Sequence, residues 1–224
     1  MALAKREVTS VPVPRARKGT WREFLESLGI AVLIFLVIRT FAFQAFRIPT
    51  GSMENTLLPG DFLFVNKFFY GARLPFTEVR LPGFTEPKRG DIIVFQFPDD
   101  PKQDYIKRCI GVGGDVIEVK NKEVYVNGIR QEEPYIVHND GAMRADVRDN
   151  MPAVKVPPDH LFMMGDNRDF SYDSRFWGPV DMHLVRGKAW ITYFSWDKDK
   201  HLFSLGELEV KGLPRPKRMF RLIE

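Results

Sequence analysis

The sequence predicts a mainly β protein that is preceded by one transmembrane helix. Two observations carry this prediction. An apolar run near the N-terminus is long enough to span a bilayer, and after residue 49 short β-rich runs separated by Gly, Pro and Asn replace helical spacing. The chain has 224 residues, of which 28% are charged and 44% hydrophobic, so it has room for one globular domain or one domain with a sizeable insertion.

The first predicted element is a transmembrane helix at residues 24–46. Its uncharged centre, residues 27–38, is too short to span a bilayer, but the 23 residues of the whole run make about 34 Å of helix. A cleaved signal peptide is the alternative. The long leader before the run argues against it, as does the spacing of Ala42 and Ala45, which are three residues apart where an Ala-x-Ala site needs two.

The net charge of the chain is concentrated before this helix. Residues 1–23 carry a net charge of +4, which equals that of the whole chain, so the remaining residues are neutral overall. A basic flank predicts that residues 1–23 are cytoplasmic and that everything after about residue 47 lies outside. A neutral folded part argues against nucleic-acid binding. The single cysteine, Cys109, excludes an internal disulfide and a multi-cysteine zinc site.

The part after the helix is predicted to form an antiparallel β-barrel or stacked sheets. Asn121-Lys122 and Asn127-Gly128 indicate hairpin turns, the second more strongly. No run after residue 50 has convincing amphipathic helix spacing. The predicted strands are Phe62–Asn66, Asp91–Phe97, Asp104–Ile110, Val116–Lys120, Glu123–Val126 and Lys188–Phe194.

Two further stretches each allow two interpretations. Residues 68–86 are rich in aromatic side chains, which either enter a membrane interface or fill the β core. The C-terminal tail is basic and could contact anionic lipid, but such a run is more often a solvated end, which we favour. Its basic residues are Lys211, Arg215, Lys217, Arg218 and Arg221.

The candidate for chemistry is Ser52, which lies on the Pro/Gly turn of residues 49–53, a few residues beyond the predicted helix. A serine hydroxyl is a poor nucleophile until a neighbouring base removes its proton. His160 precedes the turn Gly-Asp-Asn-Arg-Asp at residues 165–169, so a Ser/His/Asp arrangement can be built from it. The other histidines are His138, His183 and His201.

Lys107 is the other candidate base. Strand alternation puts it on one face with Tyr105 and Cys109, a largely apolar face, whereas Arg108 points to the opposite face and stays charged. A lysine with a pKa of ~10.4 cannot accept a proton at pH 7. Lowering that pKa by about two units corresponds to roughly 2.7 kcal/mol, which desolvation can supply. Spacing alone leaves the choice between histidine and lysine open.

Five sequence blocks follow the predicted helix in a fixed order. They are IPTGSMENTLLPGD (48–61), FLFVNK (62–67), KRGDIIVFQFP (88–98), YIKRCIGVGGD (105–115) and GDNRDFSYDSRFWGPV (165–180). In that order, behind a membrane anchor, they closely resemble the bacterial type I signal peptidases (leader peptidases), which are membrane-bound Ser/Lys proteases. The match covers about residues 24–194, most of the chain.

The resemblance implies that Ser52 is the nucleophile and Lys107 the general base. It also implies an oxyanion hole made by the backbone N–H of Ser52 and the hydroxyl of Thr50, a position where many family members have serine. Asn55 stands where proline is usual, which should loosen the turn. No cofactor and no metal ion are expected.

The resemblance further implies residues that support this pair. Ser171 would hydrogen-bond the lysine and orient its amine. Asp173 and Arg175 would form a supporting ion pair, and Asp166 would pair with Arg108 behind the site. The implied substrate groove has shallow apolar pockets that admit alanine, as in Ala-x-Ala. The residues matching its walls are Ile48, Pro49, Thr50, Met53, Leu57, Tyr105 and Ile106.

The resemblance implies a catalytic β domain at residues 47–115 and 158–224, with an inserted β-hairpin subdomain at 116–157. The expected activity is removal of signal peptides from exported preproteins at the outer face of the cytoplasmic membrane, by a single-pass enzyme held in the lipid bilayer. One alternative is a specialised Ser/Lys peptidase that matures pilin or conjugation proteins. Another is a catalytically silent, membrane-tethered β scaffold, against which the joint retention of Ser52, Lys107, Thr50 and Ser171 argues.

Overall fold

The structure is a computed structural model that describes residues 20–72, 77, 79–205 and 208–223. For residues 201–205 and 208–211 it describes the backbone only. Most of the basic N-terminus predicted to be cytoplasmic, residues 1–19, therefore lies outside the described residues. So do Phe76 of the aromatic stretch and the side chains of His201 and Lys211. The chain divides into two compact units, Met1–Val37 and Ile38–Glu224.

The N-terminal element is helix α1, Trp21–Phe41, which begins at a capping box. The Thr20 N–H donates to Glu23 Oε2 at 3.0 Å, and the Glu23 N–H donates to Thr20 Oγ1 at 3.4 Å. Its length and composition are sufficient for crossing a membrane, and α1 is the one such helix among the described residues. The capping box explains why the helix begins three residues before the predicted start at residue 24.

The predicted helix end at residue 46 is wrong. The helix ends at Phe41, and Phe43–Arg47 form a strand, β1, that pairs antiparallel with Asp61–Asn66. Phe43 stacks on Trp190 with ring centroids 5.3 Å apart. The apolar sequence continues through this segment, so hydropathy alone does not separate the helix from the strand. The strand is favoured because its backbone and side chains find partners in the sheet.

The described residues form thirteen strands and one further α-helix, the short α2 at Ser174–Trp177. The strands are β1 (Phe43–Arg47), β2 (Asp61–Asn66), β3 (Ile92–Gln96), β4 (Asp104–Val112), β5 (Val116–Lys120), β6 (Glu123–Val126), β7 (Ile129–Arg130), β8 (Met151–Lys155), β9 (His160–Met164), β10 (Val180–Asp181), β11 (Val185–Leu205), β12 (Leu208–Pro214) and β13 (Arg221–Leu222).

These strands make two sheets, and all pairings between them are antiparallel. The larger, nine-stranded sheet has the order β1-β2-β11-β3-β4-β9-β10, with β12 and β13 also paired to β11. The smaller sheet has the order β7-β6-β5-β8. It leaves the larger one after β4 and returns before β9, two strands that pair with each other. The predicted fold class, mainly β with one N-terminal apolar helix, is confirmed.

The six predicted strands are all present, with small changes at their ends except for β11, which is much longer than predicted. The two predicted hairpin turns are also present, and Asn121, Lys122, Asn127 and Gly128 all have positive φ. Strand prediction missed the other seven, namely β1, β12, the two-residue strands β7, β10 and β13, and β8 and β9. Strand β8 contains Pro152, which disfavours a strand, and β9 is a largely apolar run, His160–Met164, that lacks alternation.

Strand β3 carries the core of the larger sheet, because both of its faces are buried. On one face, Ile92 and Val94 pack with Met53 and Leu57 of the turn that carries the candidate nucleophile. On the other face, Ile93 and Phe95 pack in a second cluster with Cys109 of β4. A third cluster joins the smaller sheet to Ile110, Phe162 and Met164 of the larger one. The core therefore fixes the candidate turn and β4 against the same strand.

Candidate active site

Ser52 lies in a loop that closes on itself between β1 and β2. The Ile48 N–H donates to the Asp61 carbonyl at 2.9 Å, and the Gly60 N–H donates to the Ile48 carbonyl at 2.9 Å. Met53, the residue after the serine, is fully buried, and so is Leu57, whose N–H donates to the Met53 carbonyl at 2.7 Å. We call residues 48–61 the nucleophile loop. Its two ends are hydrogen-bonded together and its apolar side is held in the core.

The turn between β9 and α2 supports Ser52 from behind. The Asn167 N–H donates to the Ser52 carbonyl at 3.1 Å, and Asn167 Nδ2 donates to the Gly51 carbonyl at 3.2 Å. Gly165 packs so closely that a β-carbon there would collide with the Ser52 carbonyl and the Ser171 side chain. A glycine is therefore required at this position, and the two segments fix the backbone on both sides of Ser52.

Lys107 reaches Ser52 from β4. Its Nζ donates to Ser52 Oγ at 2.7 Å and to the Ile106 carbonyl at 3.2 Å. The residue is only 4% exposed, and its Nζ lies over the Tyr105 ring, 5.3 Å from the centroid. The strand alternation predicted from the sequence thus places these two side chains on the same face.

The surroundings of Lys107 favour its neutral form. Burial lowers the pKa of Lys107 from 10.5 to about 8, the nearby Asp173 and Asp166 charges partly oppose this shift, and Arg175 adds to it. No carboxylate lies within ion-pair distance of Nζ among the described side chains. An amine with this pKa is partly unprotonated near neutral pH. At 2.7 Å it can then accept the proton of Ser52 Oγ.

The histidines whose side chains are described, His138, His160 and His183, make no hydrogen bond to Ser52. His160 Nδ1 is instead 2.8 Å from the Pro158 carbonyl. His138 Nδ1 lies 3.4 Å from Asp169 Oδ1. A Ser/His/Asp arrangement around Ser52, which the sequence left open, is therefore not formed by His138, His160 or His183.

Arg108 forms a buried ion pair on the opposite face of β4. Its Nε and Nη2 donate to the two oxygens of Asp166 at 2.9 and 2.8 Å. The guanidinium also lies over the Tyr135 ring, 3.8 Å from the centroid. Thr56 Oγ1 donates to the same carboxylate at 2.5 Å and so connects the pair to the nucleophile loop. This arrangement fixes the turn of residues 165–169 relative to β4.

A second buried ion pair joins Asp173 and Arg175. Arg175 Nε and Nη2 donate to the Asp173 oxygens at 2.9 and 2.8 Å, and the Gly165 N–H donates to Asp173 Oδ2 at 3.0 Å. Burial would raise the pKa of Asp173, but the Arg175 charge and these hydrogen bonds hold that pKa below its ordinary value. Asp173 also caps α2 through a bond from the Arg175 N–H.

Ser171 does not make the expected contact. Its hydroxyl is buried beside Gly165 and does not hydrogen-bond Lys107; it lies near Asp173 and contributes to the lowered pKa of that carboxyl. The hydrogen bonds of Lys107 Nζ go instead to Ser52 Oγ and the Ile106 carbonyl. Ser171 lies behind the serine, where its side chain packs against Gly165.

A cavity of about 560 Å³ opens in front of Ser52 and Lys107. The predicted groove residues Pro49, Thr50, Tyr105 and Ile106 line it. Ile48, Met53 and Leu57 are not among the residues that line this cavity, and their side chains pack in the core beneath the loop. Other side chains that sequence reasoning did not assign to the groove are Glu54, Gln103, Asp104, Asn139, Asn167, Phe170 and Tyr172.

Sequence reasoning also missed Thr56, Gly165 and Asn167 as supports of the nucleophile loop. All three lie inside the sequence blocks 48–61 and 165–180, and this location is the one feature of the sequence that could have pointed to a role in the site. Their roles depend on contacts between segments about 110 residues apart, such as the one from Thr56 to Asp166. Residue type does not reveal such contacts.

Comparisons with known proteins identify similar chains. The family model described as signal peptidase, peptidase S26, matches residues 21–196. Signal peptidase I of Pseudomonas fluorescens is 37% identical, over 80% of this chain and 74% of that one. Signal peptidase I of Aquifex aeolicus is 34% identical, over 78% and 84%. Signal peptidase I P of Bacillus subtilis subsp. natto is 33% identical, over 84% and 96%.

Proposed function

The chain belongs to the signal peptidase family, peptidase S26, and is a serine peptidase, and we propose that it cleaves signal peptides from exported preproteins with a Ser/Lys pair, Ser52 and Lys107. The observation that carries this proposal is the 2.7 Å contact between Lys107 Nζ and Ser52 Oγ. The lysine is buried, and its pKa is lowered to about 8. A serine next to an amine that can lose its proton is an activated nucleophile.

In the proposed reaction, Lys107 Nζ accepts the Ser52 hydroxyl proton while Oγ attacks the scissile carbonyl carbon. The protonated amine then donates to the leaving nitrogen, and the acyl chain stays on Oγ as an ester. A water molecule, deprotonated by the same amine, hydrolyses this ester and restores the hydroxyl. In each step one proton moves between Lys107 Nζ and one of three partners, which are Ser52 Oγ, the leaving nitrogen and the attacking water.

The oxyanion of the tetrahedral intermediate would be bound by the Ser52 N–H and the Thr50 hydroxyl. Thr50 is exposed at the edge of the cavity, two residues before the nucleophile, which supports this role. Each donor of this kind typically contributes about 3–4 kcal/mol to transition-state stabilisation. Ser171, whose buried hydroxyl does not bond Lys107, acts in this proposal by packing behind the serine and not by orienting the amine.

The proposed substrate lies in the cavity as an extended peptide. Strand β9 pairs with residues 108–112 of β4 and not with residues 104–107, so that edge is open beside Lys107. An extended chain can add to such an edge as a further strand. Walls formed by Pro49, Tyr105 and Ile106 would favour small residues before the cleaved bond, as in Ala-x-Ala.

The proposed topology follows from the N-terminal helix and the charge before it. Helix α1 is apolar and long enough to span a bilayer, and residues 1–23 are basic. We therefore propose a single-pass protein of the cytoplasmic membrane with residues 1–23 inside and the β domain outside. The domain organisation has 47–115 and 158–224 as the catalytic domain and 116–157 as an insertion.

The proposal is tested by incubating a purified preprotein with the wild-type chain, Lys107→Ala, Ser52→Ala and His160→Ala, and by reading the cleavage position with mass spectrometry. We expect cleavage after a small residue by the wild type and His160→Ala, and no cleavage by the other two. Activity that survives Lys107→Ala and disappears with His160→Ala would overturn the Ser/Lys assignment.

A panel of unrelated preproteins tests the breadth of the substrate class. General processing predicts that many different leaders are cut after small residues. Cleavage restricted to one pilin-like or conjugation-related substrate would instead favour a specialised peptidase. An inactive wild type that still binds preproteins would favour the scaffold.

A further inference from the structure

The C-terminal segment after residue 196, which lies beyond the part matched by the family model, folds back onto the nucleophile loop. The Trp196 N–H donates to the Gly60 carbonyl at 2.9 Å. Gly212 of β12 lies against the Trp196 ring so closely that a β-carbon would collide with it. The Arg215 N–H then donates to the Ser195 carbonyl at 2.9 Å, which directs the turn Pro216–Arg218 toward the loop.

Arg218 makes the central contacts of this segment. Its Nη2 donates to Asp61 Oδ2 at 2.6 Å and to the Thr56 carbonyl at 2.8 Å, and its Nε lies 3.2 Å from both Asp61 oxygens. Asp61 is fully buried and also accepts from Ser195 Oγ at 2.5 Å and from the Leu58 N–H at 2.9 Å. The tail is therefore joined to the loop and is not simply the solvated end that its composition suggested.

These contacts reach the half of the loop that carries Ser52. The Thr56 N–H donates to the Met53 carbonyl at 3.2 Å, so Arg218 acts on a turn that begins next to the nucleophile. Between them, Asn55 has φ of 81°, in the left-handed region that asparagine adopts more readily than most non-glycine residues. Arg218, from outside, and Asp166, through Thr56 Oγ1, hold this turn from two sides.

We propose that Arg218 is a positioning residue for the peptidase reaction. Its guanidinium bonds the Thr56 carbonyl and the Asp61 carboxylate together, and so keeps the nucleophile loop in the shape that places Ser52 Oγ next to Lys107. The inference rests on the proposed function of Ser52 and Lys107. It requires the fork of an arginine, because a lysine ammonium carries the same charge but does not present the planar donor set that serves two acceptors at once.

The test compares kcat and KM of the full chain in detergent micelles with a purified preprotein. The variants are Arg218→Lys, Arg218→Ala and Ser52→Ala, with Arg221→Ala and Arg221→Lys as matched controls, because Arg221 is exposed on β13 of the same tail. Melting temperatures are measured alongside, and each assay is run well below them. We expect Arg218→Lys to lower kcat about tenfold with KM within about twofold, since small misplacements of reacting groups reduce turnover steeply. Arg218→Ala should lower kcat further, and both Arg221 variants should have the kcat and KM of the wild type.

The possible outcomes separate this inference from the proposed function. If Ser52→Ala cleaves as fast as the wild type, the proposed function fails and the role of Arg218 fails with it. If Ser52→Ala is inactive but Arg218→Lys keeps the wild-type kcat, Arg218 has only a structural role and the inference alone is overturned. A loss that appears in KM, with kcat unchanged, would also overturn it.

Discussion

Strand β4 carries two neighbouring buried basic residues, one on each face, and they differ in their hydrogen-bond partners. Arg108 lies on one face with both oxygens of Asp166 within 2.9 Å of its guanidinium nitrogens. Lys107 lies on the other face with a hydroxyl and a backbone carbonyl as its hydrogen-bond partners. Both residues are nearly inaccessible to solvent. The difference is therefore the presence of a carboxylate partner and not the degree of burial.

The presence or absence of a carboxylate partner decides whether a buried basic residue stabilises the fold or can exchange a proton. A buried cation with a bidentate carboxylate stays charged and fixes two segments to each other. A buried amine without such a partner loses the hydration that stabilises its charged form and gains no ion pair in return. Its pKa therefore decreases, here to about 8. Arginine suits the first face because it does not lose its proton, and lysine suits the second because it can.

The largest expected effect is on activity, when the unpaired cation is replaced. Lys107→Met keeps the length and apolar stem but removes the proposed base, and we expect preprotein cleavage to decrease by about 10⁴-fold or more. The variant should stay folded, because an apolar side chain fits a site that holds no ionic partner. Cleavage rates and melting temperature are measured together.

Lys107→Arg is the matched control for this change. It keeps the charge and cannot act as a base, so it should be as inactive as Lys107→Met. Activity of Lys107→Arg within about tenfold of the wild type would mean that charge at this position, and not proton transfer, is what the reaction needs.

The next effect is on stability, when the paired cation is replaced. Arg108→Met leaves Asp166 buried without its cation, which should destabilise the fold by about 3–5 kcal/mol. Urea unfolding in a mild detergent measures this change. Replacing both partners, Arg108→Met with Asp166→Leu, should recover part of the loss. If Arg108→Met alone lowered the free energy of unfolding by less than about 1 kcal/mol, the ion pair on this face would not be a stabilising contact, and the proposed contrast between the two faces would fail.

Much of the fold could be predicted from local sequence, because short strands and their turns follow local rules. The hairpin turn at Asn127-Gly128 was predicted because such residues adopt the left-handed conformation readily, and both do so here. The boundary between α1 and β1 could not be predicted. Residues 43–46 continue the predicted helical run with only Gln44 polar, and the partner strand β2, which comes later in the chain, decides between helix and strand.

The site was predictable in part, for a related reason. Strand alternation gave the face of Lys107, but its contact with Ser52 spans 55 residues of sequence and was implied only by the family resemblance. The family resemblance implied that Met53 and Leu57 form pocket walls. Their side chains anchor the loop in the core, and a match of sequence positions does not tell which side of a turn faces solvent.

A smaller effect is expected from pH, and its sign follows from the pKa of Lys107. The folded value of about 8 lies below the ordinary 10.5, so between these values the unfolded chain binds more protons and stability increases with pH. Below pH 8 the folded protein carries a buried, unpaired charge. Lys107→Met should therefore be more stable than the wild type at pH 6, by about 3 kcal/mol, with the difference decreasing toward pH 10.

The same titration should appear in the wild-type reaction rate. The rate constant should decrease about tenfold per pH unit below about pH 8, as the amine becomes protonated. A rate that does not change between about pH 6 and 9, together with a pH-independent stability difference, would show that the amine is not the titrating group.

The smallest expected effect tests the connection between the paired face and the nucleophile loop. Thr56→Val removes the 2.5 Å hydrogen bond to Asp166 while the carboxylate keeps its Arg108 bonds, so the loss of stability should be about 1.5 kcal/mol. Thr56→Ser is the control that keeps the hydroxyl. We expect Thr56→Val to change stability and to leave kcat within twofold of Thr56→Ser, because Arg218 still bonds the Thr56 carbonyl. A larger decrease in kcat would mean that the ion pair on one face of β4 also helps to place Ser52 beside the amine on the other.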